Sequence, residues 1–151
     1  MEIKVLDKAD KKRILEEMEP YGVEKLNYLL IKAGHRIRIF SGNISKKELI
    51  WLFHNVRIDN LGLYLASLKD GFRLNLDSVH ILKHDIKGKL LEVNDEDSEK
   101  WFRGENLEAE NVKDFKAGEF LLIKNSGDFI GSGKFTGSKI LNFLPKERLI
   151  R

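Results

Sequence analysis

The sequence predicts an α+β chain in two parts, an α/β unit over residues 1–85 and a mainly β, barrel-like unit over residues 86–151. Three observations predict it. Helix-like and strand-like patterns alternate up to Asp85, whereas the stretch beyond holds several short apolar runs separated by turn residues, the pattern of a small barrel. Apolar periodicity pauses at residues 85–87, which places the boundary there. Asp70-Gly71 lies between two apolar runs, the signature of a hairpin inside the first part. A chain of 151 residues accommodates two such small units.

The elements follow in order. Asp7 is placed to cap a helix reaching about residue 19, with Ile14, Leu15 and Met18 as its apolar stripe, and Pro20 and Gly22 end it. Residues 26–33 are mostly apolar and compatible with helix or strand. The Ala33-Gly34-His35 turn and the alternating Arg36-Ile37-Arg38-Ile39 favour strand. Ser45-Lys46-Lys47-Glu48 is a capping box, with Ile44 and Leu49 placed as a hydrophobic staple. Residues 61–68 and 72–76 are the hairpin strands, and Asp77 caps a short helix through residue 82.

In the second part residues 89–93 form a strand, the polar run 94–100 reads as a solvated loop, and 101–106 makes one helical turn. Residues 119–124 are almost continuously apolar, hence a central strand. Residues 125–128 are a turn, and in the next strand, 129–135, Gly131 and Gly133 mark a bulge or a close backbone approach. The last strand is 139–144, stopped by Pro145.

Composition excludes several function classes. The chain has no Cys, so it carries no disulfide framework and no thiolate metal site or nucleophile. No apolar window is long enough to span a membrane, and no secretory signal is visible, so the expectation is a soluble, cytoplasmic protein. Catalytic constellations are poor. His80 and His84 have i,i+4 spacing and Asp85 follows, but a third convergent ligand and an HExxH pattern are both missing. Gly131-Ser132-Gly133-Lys134 lacks phosphate-loop spacing and falls inside a strand. No catalytic residue, metal or cofactor is therefore assigned.

The basic residues carry more information. The net charge of +3 hides an uneven distribution: +3 over residues 1–85, +2 over 86–91, −6 over 92–119 and +4 over 120–151. Arg36 and Arg38 fall on one side of one strand. Lys124, Lys134, Lys139, Lys146 and Arg148 gather on the last strands, with Trp101, Phe102 and Phe143 as nearby aromatic faces. A basic groove with stacking rings is the physics of RNA binding, and ordinary surface lysines are the plain alternative.

These residues also carry a resemblance. Residues 86–151 resemble a PUA-type RNA-binding domain, in particular the C-terminal tail of Sun/Fmu-type RNA cytosine-5 methyltransferases. The matching pieces are Phe102-Arg103-Gly104-Glu105-Asn106, Gly131-Ser132-Gly133-Lys134 and Asn142-Phe143-Leu144-Pro145-Lys146-Glu147-Arg148. Glu119 stands where the family pattern has Asp, and no methyltransferase core precedes the tail. Residues 1–85 are similar in element order, and at Lys69-Asp70-Gly71-Phe72-Arg73-Leu74, to the pre-PUA domain of a ribosome-biogenesis factor. The resemblance implies an α/β pre-PUA-like domain at 1–85 and a PUA-like β-barrel at 86–151. It also implies a non-enzymatic RNA-binding function in rRNA maturation, or as a targeting module for an RNA-modifying enzyme. RNA (rRNA or tRNA) would lie against Arg103, Gly104, Lys134, Lys146 and Arg148, with an RNA methyltransferase or a pre-ribosomal particle as protein partner. Gly104, Gly131 and Gly133 would let the RNA backbone approach. Two rivals remain: an adaptor that docks a methyltransferase through the first domain, and a small enzyme or nucleotide-binding domain using His80 or His84 with Asp85 or Glu105.

Overall fold

A computed structural model describes residues 2–109, 112 and 114–150. The first half is an antiparallel meander of five strands in chain order, β1 (Ile3–Val5), β2 (Leu29–Ala33), β3 (Arg36–Phe40), β4 (Leu63–Ser67) and β5 (Arg73–Leu74). Both faces of this sheet are covered, which explains why Leu29, Leu30 and Ile31 are apolar in succession along β2. Leu30 joins one core and Ile31 the other, as alternation along a strand requires. Helix α2 (Lys46–Asn55) packs one face through Leu49, against Val5 and Ile31. Helices α1 (Lys8–Met18) and α3 (Leu76–Leu82) supply Ile14, Met18, Val79 and Leu82 to the core on the other.

Local signals act as the sequence predicts at most helix starts. Asp7 accepts from the Asp10 N–H at 2.8 Å. Ser45 and Glu48 form the reciprocal capping box, at 2.7 and 3.2 Å. The cap of α3 is Asn75 rather than Asp77: its side chain accepts from the Asp77 N–H at 2.9 Å, leaving Asp77 in the first turn with its carboxylate outward.

The second half is a five-stranded sheet ordered β6 (Leu90–Glu92), β8 (Phe120–Asn125), β9 (Asp128–Phe135), β10 (Lys139–Asn142) and β7 (Leu107–Glu108). β6 joins β8 in parallel and every other pairing is antiparallel. The sheet is an open half-barrel rather than a closed one, since no pairing joins β6 to β7 among the described residues. Ser126 and Gly127, both at positive φ, make the two-residue β8–β9 turn. A register shift opposite Ile123 and Lys124 leaves Ile130 as a bulge beside Gly131.

The polar run after Asn94 is helix, not loop. Helix α4 (Asp95–Phe102) begins where Asn94 accepts from the Asp97 N–H at 2.8 Å. Three acidic residues in its first turn suit the helix dipole, and the Glu96–Lys100 and Glu99–Arg103 pairs fall at i,i+4. The charges that suggest solvation are the outer face of a helix whose inner face is Trp101, fully buried.

The two sheets share one apolar core, to which Tyr21, Leu65 and Val79 contribute from the first half and Trp101, Leu121 and Ile140 from the second. Tyr21 is the clasp between them. Its carbonyl accepts from the Lys87 and Gly88 N–H groups at 2.8 and 3.1 Å, and its phenol donates to the Phe120 carbonyl at 3.3 Å. Burial pushes that phenol's pKa well up. Gly88 is obligatory for this approach, because a Cβ there would stand 2.1 Å from the Pro20 carbonyl oxygen.

Gly88→Ala should therefore destabilise by about 1–3 kcal/mol, the scale of overpacking, read as a lower denaturant midpoint at unchanged slope. The Ser45 N–H and hydroxyl hold the Glu48 carboxyl below its ordinary pKa. Its contribution is complete above the ordinary carboxylate range and is lost as pH falls through the lowered folded value. Glu48→Gln should flatten that part of the acid-side stability profile.

Candidate nucleic-acid interface

The inner end of α4 organises the second half. The Trp101 indole packs against β9, where a Cβ on Gly131 would come within 2.5 Å of its Nε1 and a Cβ on Gly133 within 3.0 Å of the ring. Nε1 donates to the Ile130 carbonyl at 3.2 Å, on the bulge. The close approach expected at these two glycines is therefore real, and the protein's own groups make it: Trp101 at Gly131, and Ile140, Leu141 and Trp101 at Gly133. Both glycines are buried.

Asn142 ties the tail to the same helix end. Its amide donates to the Trp101 and Glu105 carbonyls at 2.8 and 3.0 Å, joining the Gly104 N–H on the first of them at the end of the helix. Its backbone N–H donates to the Asn106 side chain at 2.9 Å, and its own Oδ1 accepts from the Leu144 N–H at 2.9 Å. The tail then passes Gly104, whose φ of +87° ends the helix and where a Cβ would stand 3.3 Å from the Leu149 side chain. The Ile150 N–H donates to the Phe102 carbonyl at 2.7 Å. Gly104 thus faces the protein's own tail. Arg103 beside it is exposed and lies 3.6 Å from Glu99.

Cations and rings meet along the junction of the two sheets. Lys134 on β9 stands 5.4 Å over the Phe120 ring, which packs edge-on against Phe143 at 5.3 Å. Arg73, from the hairpin of the first half, lies 5.1 Å over Phe143. Lys89 stands 5.3 Å over Tyr21, whose ring neighbours Phe72 at 6.4 Å. These distances are within cation–π range. Beside Arg73 opens a cleft of about 200 Å³, walled by Phe143, Leu144 and Pro145 with Gly131 and Ser132 behind. Arg148 reaches across its rim to pair with Asp77 at the start of α3.

Of the five residues expected at an RNA site, Lys134 and Arg148 stand near Phe143 on this junction, Lys134 through Phe120 and Arg148 through the cleft. Lys146 is exposed on the 3₁₀ turn Lys146–Arg148. Arg103 and Gly104 sit at the end of α4. Sequence reasoning missed Arg73, Asp77, Lys89 and Tyr21 as parts of one surface. The signal that could have found Arg73 is its place at the foot of the Asp70-Gly71 turn, where strand alternation turns it away from buried Leu74. A second basic patch lies on the first sheet, where Arg36 and Arg38 flank Tyr64 at 5.3 and 5.8 Å. His80, His84 and Asp85 are exposed, and no cluster of three or more His, Asp or Glu suited to a metal occurs among the described residues.

Residues 89–150 match the family model described as Methyltransferase RsmF PUA domain. That stretch resembles a PUA domain. The C-terminal half of the chain resembles the tail of enzymes named Ribosomal RNA small subunit methyltransferase F. That of Vibrio atlanticus (strain LGP32) is 28% identical over 107 residues, covering 65% of this chain and 22% of the relative. That of Photobacterium profundum is 28% identical over 114 residues, covering 69% and 23%. That of Vibrio campbellii (strain ATCC BAA-1116) is 27% identical over 109 residues, covering 65% and 23%. The chain spans less than a quarter of the length of these relatives. The aligned stretches exceed residues 89–150, so the likeness reaches back into the first half.

Asn142→Ala should cost about 1–3 kcal/mol, the penalty for stranding partly buried polar groups. It should also speed amide exchange at Ile150 while leaving the β8–β9 hairpin protected, which hydrogen-exchange measurements on the folded protein would read.

Proposed function

We propose that this chain is a non-enzymatic RNA-binding protein that acts in rRNA modification or maturation, through a PUA-like domain at 86–151 set against a pre-PUA-like domain at 1–85. The single observation that carries the reading is the run of cation–ring pairs along the sheet junction: Lys89 on Tyr21, Lys134 on Phe120 and Arg73 on Phe143. Rings flanked by cations stack on unpaired bases and attract the phosphates between them. The likeness to rRNA methyltransferase tails supports rRNA as the RNA class, with tRNA as the neighbouring choice. It also supports service to a methyltransferase or a pre-ribosomal particle, in the cytoplasm. No helix of the described residues is long and apolar enough to cross a membrane.

A second reading, an adaptor that docks a methyltransferase through the first half, is favoured by Trp51, 60% exposed on α2 beside Ile44 and Leu52. The two separate by what Trp51→Ala changes: co-purification with the enzyme in the second reading, RNA affinity in neither.

The test is a filter-binding titration of structured rRNA fragments at several salt concentrations. Lys134→Ala and Lys146→Ala should each weaken binding to all sequences alike. Each should also flatten the log K against log salt line by roughly 0.7–0.9 for every phosphate it no longer neutralises. Abolished binding in Arg36→Ala and Arg38→Ala, with Lys134→Ala and Lys146→Ala unchanged, would move the site to the first sheet.

A further inference from the structure

We propose that the cleft between the two sheets holds one unpaired guanine of the bound RNA and reads it through Asp77. The proposal rests on the RNA-binding reading above and names what that site selects. The cleft's volume of about 200 Å³ lies below the roughly 300–1,000 Å³ of pockets that bury a drug-sized ligand. It suits a single planar ring system and is too small for a dinucleotide or a nucleoside-containing cofactor. One wall is the Phe143 ring, held edge-on by Phe120, with the Arg73 guanidinium already lying over it. A planar cation on an aromatic wall is the arrangement on which a base stacks.

Charge and hydrogen-bonding capacity narrow the ligand further. Arg73 and Arg148 face Asp77 and Glu147 around the rim, two cations against two anions. A free phosphate gains no net attraction from that balance. The rim instead sets donors beside acceptors: a guanidinium only donates and an ionised carboxylate only accepts. Guanine matches both. Its N1–H and N2 amino group present two donors on one edge, which a carboxylate accepts side by side, and its O6 and N7 present two acceptors to an arginine fork. Adenine and cytosine offer a carboxylate one amino group, and uracil one ring N–H. The Arg148–Asp77 pair must open for this exchange. Its side chains are 40% and 47% exposed, and exposed pairs of this kind are held by little. The base edge takes Arg148's place on Asp77, and the freed guanidinium turns to the base's O6 and N7 while Arg73 stays as the stacking face.

The experiment measures fluorescence anisotropy of labelled oligouridine RNAs that carry one central guanosine, inosine, adenosine or cytidine, titrated with the full chain. The guanosine RNA should bind on the order of ten-fold more tightly than the adenosine RNA, the scale of one bidentate base contact. Inosine, which lacks the N2 amino group, should fall between them. Asp77→Asn, at an exposed position, should erase the guanosine preference while affinity for plain oligouridine persists. Glu147→Gln should keep the preference. Equal binding of guanosine and adenosine RNAs, inosine binding as tightly as guanosine, or a preference that survives Asp77→Asn would each overturn the guanine site and leave RNA binding itself intact. Failure of the wild-type chain to bind any of the RNAs would overturn both.

Discussion

The surface at the junction of the two sheets depends on how Tyr21 joins the two halves. A backbone carbonyl that accepts two N–H groups, and a phenol that donates to a central strand, fix the relative placement of two sheets that are otherwise separate ladders. Because the bond to Phe120 is made from inside the shared core, it is screened from water and cannot be exchanged cheaply. The hairpin of the first half is thereby set against the Phe120–Phe143 pair of the second. Arg73 meets Phe143 only because of that placement, so the surface with the most concentrated cation–ring chemistry belongs to neither sheet alone.

The rings on this surface are partly core and partly platform. Phe120 is buried, yet one side of it is capped by the Lys134 ammonium. Phe143 is half-buried and presents a face to the cleft. The two rings pack edge-on at 5.3 Å, with the Lys134 ammonium over one and the Arg73 guanidinium over the other.

Much of the fold is legible in the sequence because it is encoded locally. The capping box at Ser45, the turns at Gly34 and Gly127, and the alternation in β3 each act over a few residues, and each forms as its local signal dictates. The sequence misleads where distant residues decide. Residues 94–100 look like a loop when their polarity is weighed without Trp101, whose burial requires a helix with one apolar and one charged face. Gly131 and Gly133 look like an opening for a ligand because nothing in their neighbourhood announces that Trp101, some thirty positions earlier, will lie on them. The residue types of the candidate site are legible in the sequence, and the structure sets Lys134 over Phe120 and Arg148 at the rim of the cleft that Phe143 walls. Its completion by Arg73 and Asp77 is not legible, since no periodicity connects residue 73 to residue 143.

Asn142 also makes the last strand part of the end of α4. A helix of two turns is marginal in water by itself. The Trp101 carbonyl, already bonded to the Gly104 N–H at 3.0 Å, takes a second donor from the Asn142 amide, which reaches the Glu105 carbonyl as well. A chain cut before residue 142 would therefore lose at one stroke the β10 residue that pairs with Gly133 and the donor that closes the turn after α4.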